Sequence, residues 1–256
     1  MSILDRIVAS TKERVAREKT AASPPPCAQR LPPFLFEQRL RKPDIAFICE
    51  VKKASPSRGV IAAEFPYLAI ARDYEDAGAD AVSVLTETDH FHGSDRYLAE
   101  IRGAVDMPLL RKDFIIDPFQ IEQAARLGAD AILLICAILT PAQLAEYLKE
   151  ADRLGLSCLV EAHDEDELKT ALRAGARVVG VNNRDLRTFE VDTGNSIRLR
   201  KLTPRDVLFV SESGIRTAED VDILRRHGVD AVLVGEALMR ASDKKAALAA
   251  LRGDEV

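Results

Sequence analysis

Four times along the chain, a glycine that closes an amphipathic stretch runs straight into a short apolar segment. The four joints are Gly78-Ala79-Asp80-Ala81-Val82, Gly128-Ala129-Asp130-Ala131-Ile132, Gly175-Ala176-Arg177-Val178-Val179 and Gly228-Val229-Asp230-Ala231-Val232. Their glycines are 50, 47 and 53 residues apart. A helix-stopping glycine leading directly into a strand is the joint of a repeated helix–strand unit. The apolar runs (AVSVL, AILLI, VVGVN, AVLVG) lack the polar alternation of half-exposed strands, so they fit a parallel sheet covered by helices. Between them lie four further strand candidates, at 45–49, 108–111, 157–160 and 207–210. Eight strands at roughly 25-residue intervals, each with room for a helix behind it, predict an α/β fold, a (β/α)8 TIM barrel, rather than an open doubly wound sheet.

The length of 256 residues suits one such barrel, which is assigned to residues 45–256. Residues 1–44 form an N-terminal helical extension. Its first helix carries Ile3, Leu4, Ile7, Val8 and Val15 on one face, Pro24-Pro25-Pro26 and Pro32-Pro33 interrupt it, and a second short helix is expected at 36–41. Such an extension either plugs the open bottom of the barrel or lies as a lid over its catalytic rim.

Composition narrows the partners. With 47% hydrophobic and 30% charged residues the chain can build a core. A net charge of −5 argues against a nucleic-acid or polybasic membrane surface, and an anionic ligand would need cations gathered locally. No apolar run approaches the roughly 20 residues of a membrane span, and the charged, amphipathic start is not a signal peptide. Cys27, Cys49, Cys136 and Cys158 are far apart and form no C-x-x-C pair, which reads as reduced core thiols in a cytoplasmic protein.

Barrel chemistry sits where the strands end, because the following loops converge there. Those ends read Glu50-Val51-Lys52-Lys53, Thr86, Arg111-Lys112-Asp113-Phe114, Glu161, Asn182-Asn183-Arg184-Asp185, Ser211-Glu212-Ser213-Gly214 and Gly235-Glu236. Strand alternation turns Glu50 and Lys52 to one face and Val51 and Lys53 to the other. One buried pair would read as a structural ion pair. Glu50, Lys52, Lys112, Glu161 and Glu212, converging from four strands on one axial cavity, predict a catalytic site. The glycine turns after the last two strands, with Ser213, Gly214, Gly235 and Glu236, predict a phosphate cradle built from backbone N–H groups. His90-x-His92 lacks a third ligand nearby, so no metal is expected. His163 and His227 read as surface residues, and the charges of 164–168 as a solvated helix face.

In order, the strings ILDRIVASTKERV, CEVKKASPSRGVI, LTETDHFHGS, PLLRKDFIIDPFQI, LVEAHDEDEL, GVNNRDLRTFEVD, SESGI and VLVGEALM resemble the indole-3-glycerol phosphate synthase family across essentially the whole chain. The resemblance implies a cofactor-free lyase of tryptophan biosynthesis. Its substrate would be 1-(o-carboxyphenylamino)-1-deoxyribulose 5-phosphate, an anionic small molecule with a phosphate and a carboxylate. By the same resemblance Lys112 is the general acid of ring closure, and Glu161 and Lys52 divide the acid and base roles of dehydration in an order left open. Glu50 orients the lysines, while Asn182 and Glu212 hold the substrate hydroxyls and amine. Ser55 and Arg184 bind its anionic end, Phe91, Phe114 and Leu186 wall in the ring, and Ser213, Gly214, Gly235 and Glu236 hold the phosphate. The chain departs from the pattern at His92, where relatives carry a small or amide residue, and at Ala237, where a serine is common. The resemblance also favours a lid. The rival readings are another phosphosugar barrel, such as phosphoribosylanthranilate isomerase with its Cys and Asp pair, or a non-catalytic barrel that binds a pathway partner. Docking of other tryptophan-pathway enzymes is left open.

Overall fold

The computed structural model describes residues 2–21, 31–56, 58–62, 64–185 and 188–254. Two helices come first, α1 (Ile3–Glu18) and α2 (Leu35–Leu40). Then follow β1 (Ala46–Val51), a small hairpin of β2 (Ala54–Ser55) and β3 (Gly59–Val60), α3 (Tyr67–Asp76), β4 (Ala81–Leu85), α4 (Asp95–Arg102), β5 (Leu109–Lys112), α5 (Pro118–Leu127) and β6 (Ala131–Ile135). The second half holds α6 (Pro141–Arg153), β7 (Ser157–Ala162), α7 (Glu165–Ala174), β8 (Val178–Asn182), α8 (Gly194–Arg200), β9 (Leu208–Glu212), α9 (Ala218–Arg226), β10 (Ala231–Val234), α10 (Glu236–Arg240) and α11 (Lys244–Arg252). The barrel closes in the order β1-β10-β9-β8-β7-β6-β5-β4, with all its neighbouring strands parallel. The predicted architecture is therefore the one observed. The triple-proline break, Cys27, Ser57 and Leu186 lie outside the described residues.

Four strands run further than their apolar patterns predict. β1 continues to Val51, β5 to Lys112, β7 to Ala162 and β9 to Glu212. Hydrophobicity marks a strand only until polar residues begin, whereas the ladder hydrogen bonds continue for as long as the charges find partners inside.

The repeated joint has a specific bond behind it. Phe47 N donates to Asp80 Oδ2 at 2.8 Å, Leu109 N to Asp130 Oδ2 at 2.8 Å and Phe209 N to Asp230 Oδ2 at 2.7 Å. Each aspartate thus pins the first free N–H of the strand beside its own. Gly78, Gly128, Gly175 and Gly228 all take positive φ, which lets the helix end and the chain enter the barrel at once. The joint that carries Arg177 instead reaches outward: its guanidinium lies 2.9 Å from Glu37 and 2.8 Å from Asp152, over the Phe34 ring.

That contact seats α2 against the bottom of the barrel. Phe36 and Leu40 are fully buried there, packed in the inner core with Ala46, Ala81, Ala131, Val178, Leu208 and Ala231 from the strand starts. Helix α1 sits at the opposite end, where Ile3, Leu4 and Ile7 line the cavity into which the strand ends point. The extension thus divides between the two positions that the sequence reading set against each other. The described cysteines, Cys49, Cys136 and Cys158, are free and buried, and Cys49 faces the helix layer rather than the axis. Among the described residues no helix is long and apolar enough to cross a membrane.

Asp130 does double work: besides Leu109 N it holds the buried Arg102 guanidinium at 2.9 Å. Asp130→Ala would strand that cation and one ladder N–H, so the unfolding free energy should fall by about 3–5 kcal/mol. Chemical denaturation of the variant checks this, and a midpoint equal to the parent's would contradict it.

Candidate active site

Alternation along each strand carries the apolar inner layers upward into charge. Ile48 is followed on its face by Glu50, Leu110 by Lys112, Leu159 by Glu161 and Val210 by Glu212, while Asn182 ends the inner face of β8. All five, with Lys52, line a cavity of about 390 Å³ at the C-terminal mouth of the barrel. Space for them is made by glycine. A Cβ on Gly180 would lie 2.2 Å from Glu212 Oε1, and one on Gly235 would lie 2.3 Å from Glu50 Oε1 and 3.0 Å from Lys52 Nζ.

Lys112 Nζ is the centre of the array, 2.8 Å from Glu212 Oε2 and 3.3 Å from Glu161 Oε2. Burial alone would lower the ammonium pKa, but Glu212, Glu161 and Glu50 outweigh it and hold the group above its ordinary range. Lys52 pairs with Glu50 in a second, separate contact. The two carboxylates around Lys112 respond in opposite directions. Burial raises Glu161, yet Lys112 and His163 overcome this and keep it below the usual carboxylate range. Glu212 is buried too, has only Lys112 as a close cation and feels Glu161 and Glu50, so it is pushed up. Its Oε1 is buried with no hydrogen-bond partner among the described residues.

The loop after β4 is wound around Glu87, whose carboxylate accepts from the backbone N–H groups of Asp89, His90 and Phe91 at 2.8–3.0 Å. This turns Phe91 into the cavity, 6.1 Å centroid to centroid from Phe114. His92 has φ 54°, a left-handed backbone that glycine and asparagine adopt most cheaply. That accounts for the small or amide residue the family pattern prefers there. His90 Nε2 lies 3.4 Å from Ser10 of α1. Among the described residues no group of three or more His, Cys, Asp or Glu side chains could hold a metal ion.

Helix α1 is fastened to this rim by a buried fork, in which Arg14 Nη2 meets both oxygens of Asp113 at 2.7 and 2.9 Å. Asp113 also accepts from Thr86 Oγ1 at 3.0 Å and Arg111 Nη2 at 3.3 Å, and it directly follows Lys112. Arg111, fully buried behind β5, binds Asp95 at 2.8 Å and Gln123 at 2.7 Å.

The other end of the cavity is basic. Ser55, Arg184, Ser213, Gly214, Arg216, Gly235, Glu236 and Arg240 line it. Ser213 and Gly214 take φ of 67° and 87°, a tight turn at the end of β9. The Glu236 carboxylate meets Arg58 at 3.3 Å and Arg240 at 3.2 Å, while its main chain stands at the Gly235 turn where backbone N–H groups were expected to form a phosphate cradle. An anion cannot itself hold a phosphate, so only the main chain of Glu236 suits that task. Arg184 donates its backbone N–H to Asn182 Oδ1 at 3.1 Å and its guanidinium to Phe189 O at 3.3 Å.

Described residues of the expected site, from Glu50 to Glu236, thus meet around one cavity. Four residues were missed. His163 is not a surface residue: only 19% of its side chain is exposed, and it lies 3.3 Å from Glu161 and 3.0 Å from Glu167. Glu167 accordingly belongs to the site's surroundings rather than to a plain solvated face. Arg14 and Arg58 reach the rim from elements the strand-end reading did not include.

Comparison with known proteins agrees with this geometry. The family model for indole-3-glycerol phosphate synthase matches residues 4–251. The indole-3-glycerol phosphate synthase of Ruminiclostridium cellulolyticum is 59% identical over 257 residues, covering 98% of this chain and 99% of that protein. That of Endomicrobium trichonymphae is 54% identical, covering 94% and 96%. Among solved structures, 3-hexulose-6-phosphate synthase from Salmonella typhimurium superposes with a TM-score of 0.67 at 15% identity, covering 82% of this chain and 97% of that one, a likeness of fold alone.

The raised Glu212 carboxyl has a consequence for stability. A carboxyl with a raised folded pKa favours the fold below its unfolded value of 4.5, and the contribution is lost as pH climbs through the folded value towards neutrality. Glu212→Gln, a permanent neutral mimic, should therefore gain in unfolding midpoint over the parent as pH rises from 4.5 to 8. A difference in midpoint that does not change with pH would contradict this.

Proposed function

The chain belongs to the indole-3-glycerol phosphate synthase family and carries out ring closure, decarboxylation and dehydration of 1-(o-carboxyphenylamino)-1-deoxyribulose 5-phosphate; on that premise we propose which of its residues perform each step. The observation that carries the assignment is the ammonium of Lys112, held by Glu161 and Glu212 at the floor of the cavity. Ring closure joins the carboxylate-bearing ring carbon to the ketone carbon, and Lys112 gives its proton to the ketone oxygen as that bond forms. Its buried, charge-compensated setting supports this, since the group remains an ammonium until a developing alkoxide needs the proton. Carbon dioxide then leaves the ring carbon that made the attack, and the electron pair of the broken C–C bond returns to the ring and restores aromaticity without an external electron sink.

Dehydration needs a proton on the departing hydroxyl and the removal of one from the methylene beside the nitrogen. Glu161, kept ionised by Lys112 and His163, suits the base role. Lys52, set against Glu50 on the same side as the Gly235 turn, suits the acid. Asn182 and Glu212 line the wall that would face the hydroxyls and amine. Phe91 and Phe114 suit the aromatic ring, with Ser55 and Arg184 for its carboxylate. The phosphate would lie at the main chain of Ser213, Gly214, Gly235 and Glu236, beside Arg216 and Arg240. Binding it in an otherwise acidic protein fits this local gathering of guanidinium groups. Helix α1, with Ile3, Leu4 and Ile7 on the cavity, would act as a lid, and α2 as a plug. The free, buried thiols fit a cytoplasmic setting.

The chain has no tryptophan, so the indole product should appear as new fluorescence over almost no protein background when the carboxyphenylamino substrate is added. Absence of that signal would sink the assignment. Lys112→Ala should lower turnover by about 10²–10⁴-fold with the fold intact, and parent-like turnover would remove Lys112 from its role. The two halves of the extension can be separated as well. Arg14→Met should raise KM as well as cost stability, whereas Phe36→Ala should cost about 3–5 kcal/mol of stability and leave KM near the parent value. A reversed pattern would contradict the lid and plug roles.

A further inference from the structure

Glu161 and Glu212 share one ammonium from adjacent sides, yet their surroundings differ. What distinguishes them is a second cation on one side only. His163 stands just past the end of β7, and its Nε2 is 3.3 Å from Glu161 Oε1, the oxygen that Lys112 does not touch. On the far side of the ring, Nδ1 lies 3.0 Å from Glu167 Oε2 on α7. That same oxygen accepts the His163 backbone N–H at 2.8 Å, and Asn195 Nδ2 on α8 donates to the His163 carbonyl at 2.9 Å. The residue is therefore fixed by ring and backbone alike. Its Nε2 is buried and makes no aligned hydrogen bond among the described residues, so the contact with Glu161 is one of charge.

We propose that His163, gripped by Glu167, is a positioning residue for the lyase reaction, which stands against the Glu161 oxygen that Lys112 does not touch and so holds Glu161, and not Glu212, in the role of base. The inference rests on the reading of Glu161 as a base given above. The charged groups facing the ring are Glu161 from β7 and Glu167 from α7; beyond Glu161 lie Lys112 of β5 and Glu212 of β9, and α8 contributes only the neutral amide of Asn195. Burial would lower the imidazole, but the two carboxylates overcome it and raise it to about 10, so the ring stays cationic through neutral pH and discharges only as pH rises through that value. Without the ring, both carboxylates would depend on Lys112 alone. Like charges so placed share a proton, and the population of ionised Glu161 at neutral pH would fall.

The test is the pH dependence of kcat in His163→Gln. The acid limb should move up by about one pH unit or more, and kcat at pH 7 should drop about 10-fold or more while KM changes far less. Glu167→Gln, which leaves the ring in place, should move the limb in the same direction by a smaller amount. It also serves if His163→Gln does not fold. In the parent protein, labelled-histidine NMR should find one imidazole still cationic at pH 8, and that resonance should be missing from His163→Gln. An unchanged acid limb in both variants, or a neutral His163 ring at pH 8, would overturn the inference. Glu161→Gln separates the two claims. If it keeps parent-like turnover, the base assignment itself fails. If it is inactive while His163→Gln keeps the parent profile, only the positioning role fails.

Discussion

An ammonium group buried near the axis of an apolar barrel survives only where carboxylates meet it, and around Lys112 three of them contribute, Glu212, Glu161 and Glu50. Much of the upper barrel is arranged to allow this. Gly180 and Gly235 clear the volume that the carboxylate tips occupy, since a methyl at either position would overlap Glu212 or Glu50. The strand ladders continue past their apolar portions so that these side chains arise from rigid backbone instead of loops. A lysine so placed is preorganised: its counter-charges are in position before any substrate arrives, and no solvent needs to rearrange around it when a proton is transferred.

The same barrel solves two sealing problems with one N-terminal extension. The bottom is closed by Phe36 and Leu40, whose helix is drawn in by Arg177, the residue that breaks the aspartate pattern of the repeated joints. The mouth is covered on one side by the apolar face of α1, tied through Arg14 to the aspartate next to Lys112. The anchor adjoins the central lysine, so α1 and the ammonium are connected through only two residues, Asp113 and Lys112.

Most of the fold was legible because its strongest signals are local. A glycine, a small residue and an aspartate before an apolar run report a helix end, a turn and a strand start within five positions. The inward-facing charges were legible for the same reason, as Glu50 and Lys52 stand two apart on one strand. That rule also applies to Glu161 and His163, which are again two apart, and would have identified the histidine had it been carried past the end of the strand. Arg14 gave no such signal. Its partner lies 99 residues away, and in an amphipathic helix a buried arginine looks like any other residue of the polar face. At Glu236 the glycine turn was legible, but the engagement of its carboxylate by the guanidinium groups of Arg58 and Arg240 was not, because Arg58 lies far away in the sequence.

The state of Lys112 decides the account most directly. With the lysines labelled at Cε, the Lys112 resonance in the free enzyme should remain that of an ammonium past the ordinary lysine midpoint of 10.5, because its three carboxylates outweigh its burial. A resonance that titrates at or below that midpoint would mean that the carboxylates do not hold the proton, and the general-acid role would lose its physical basis.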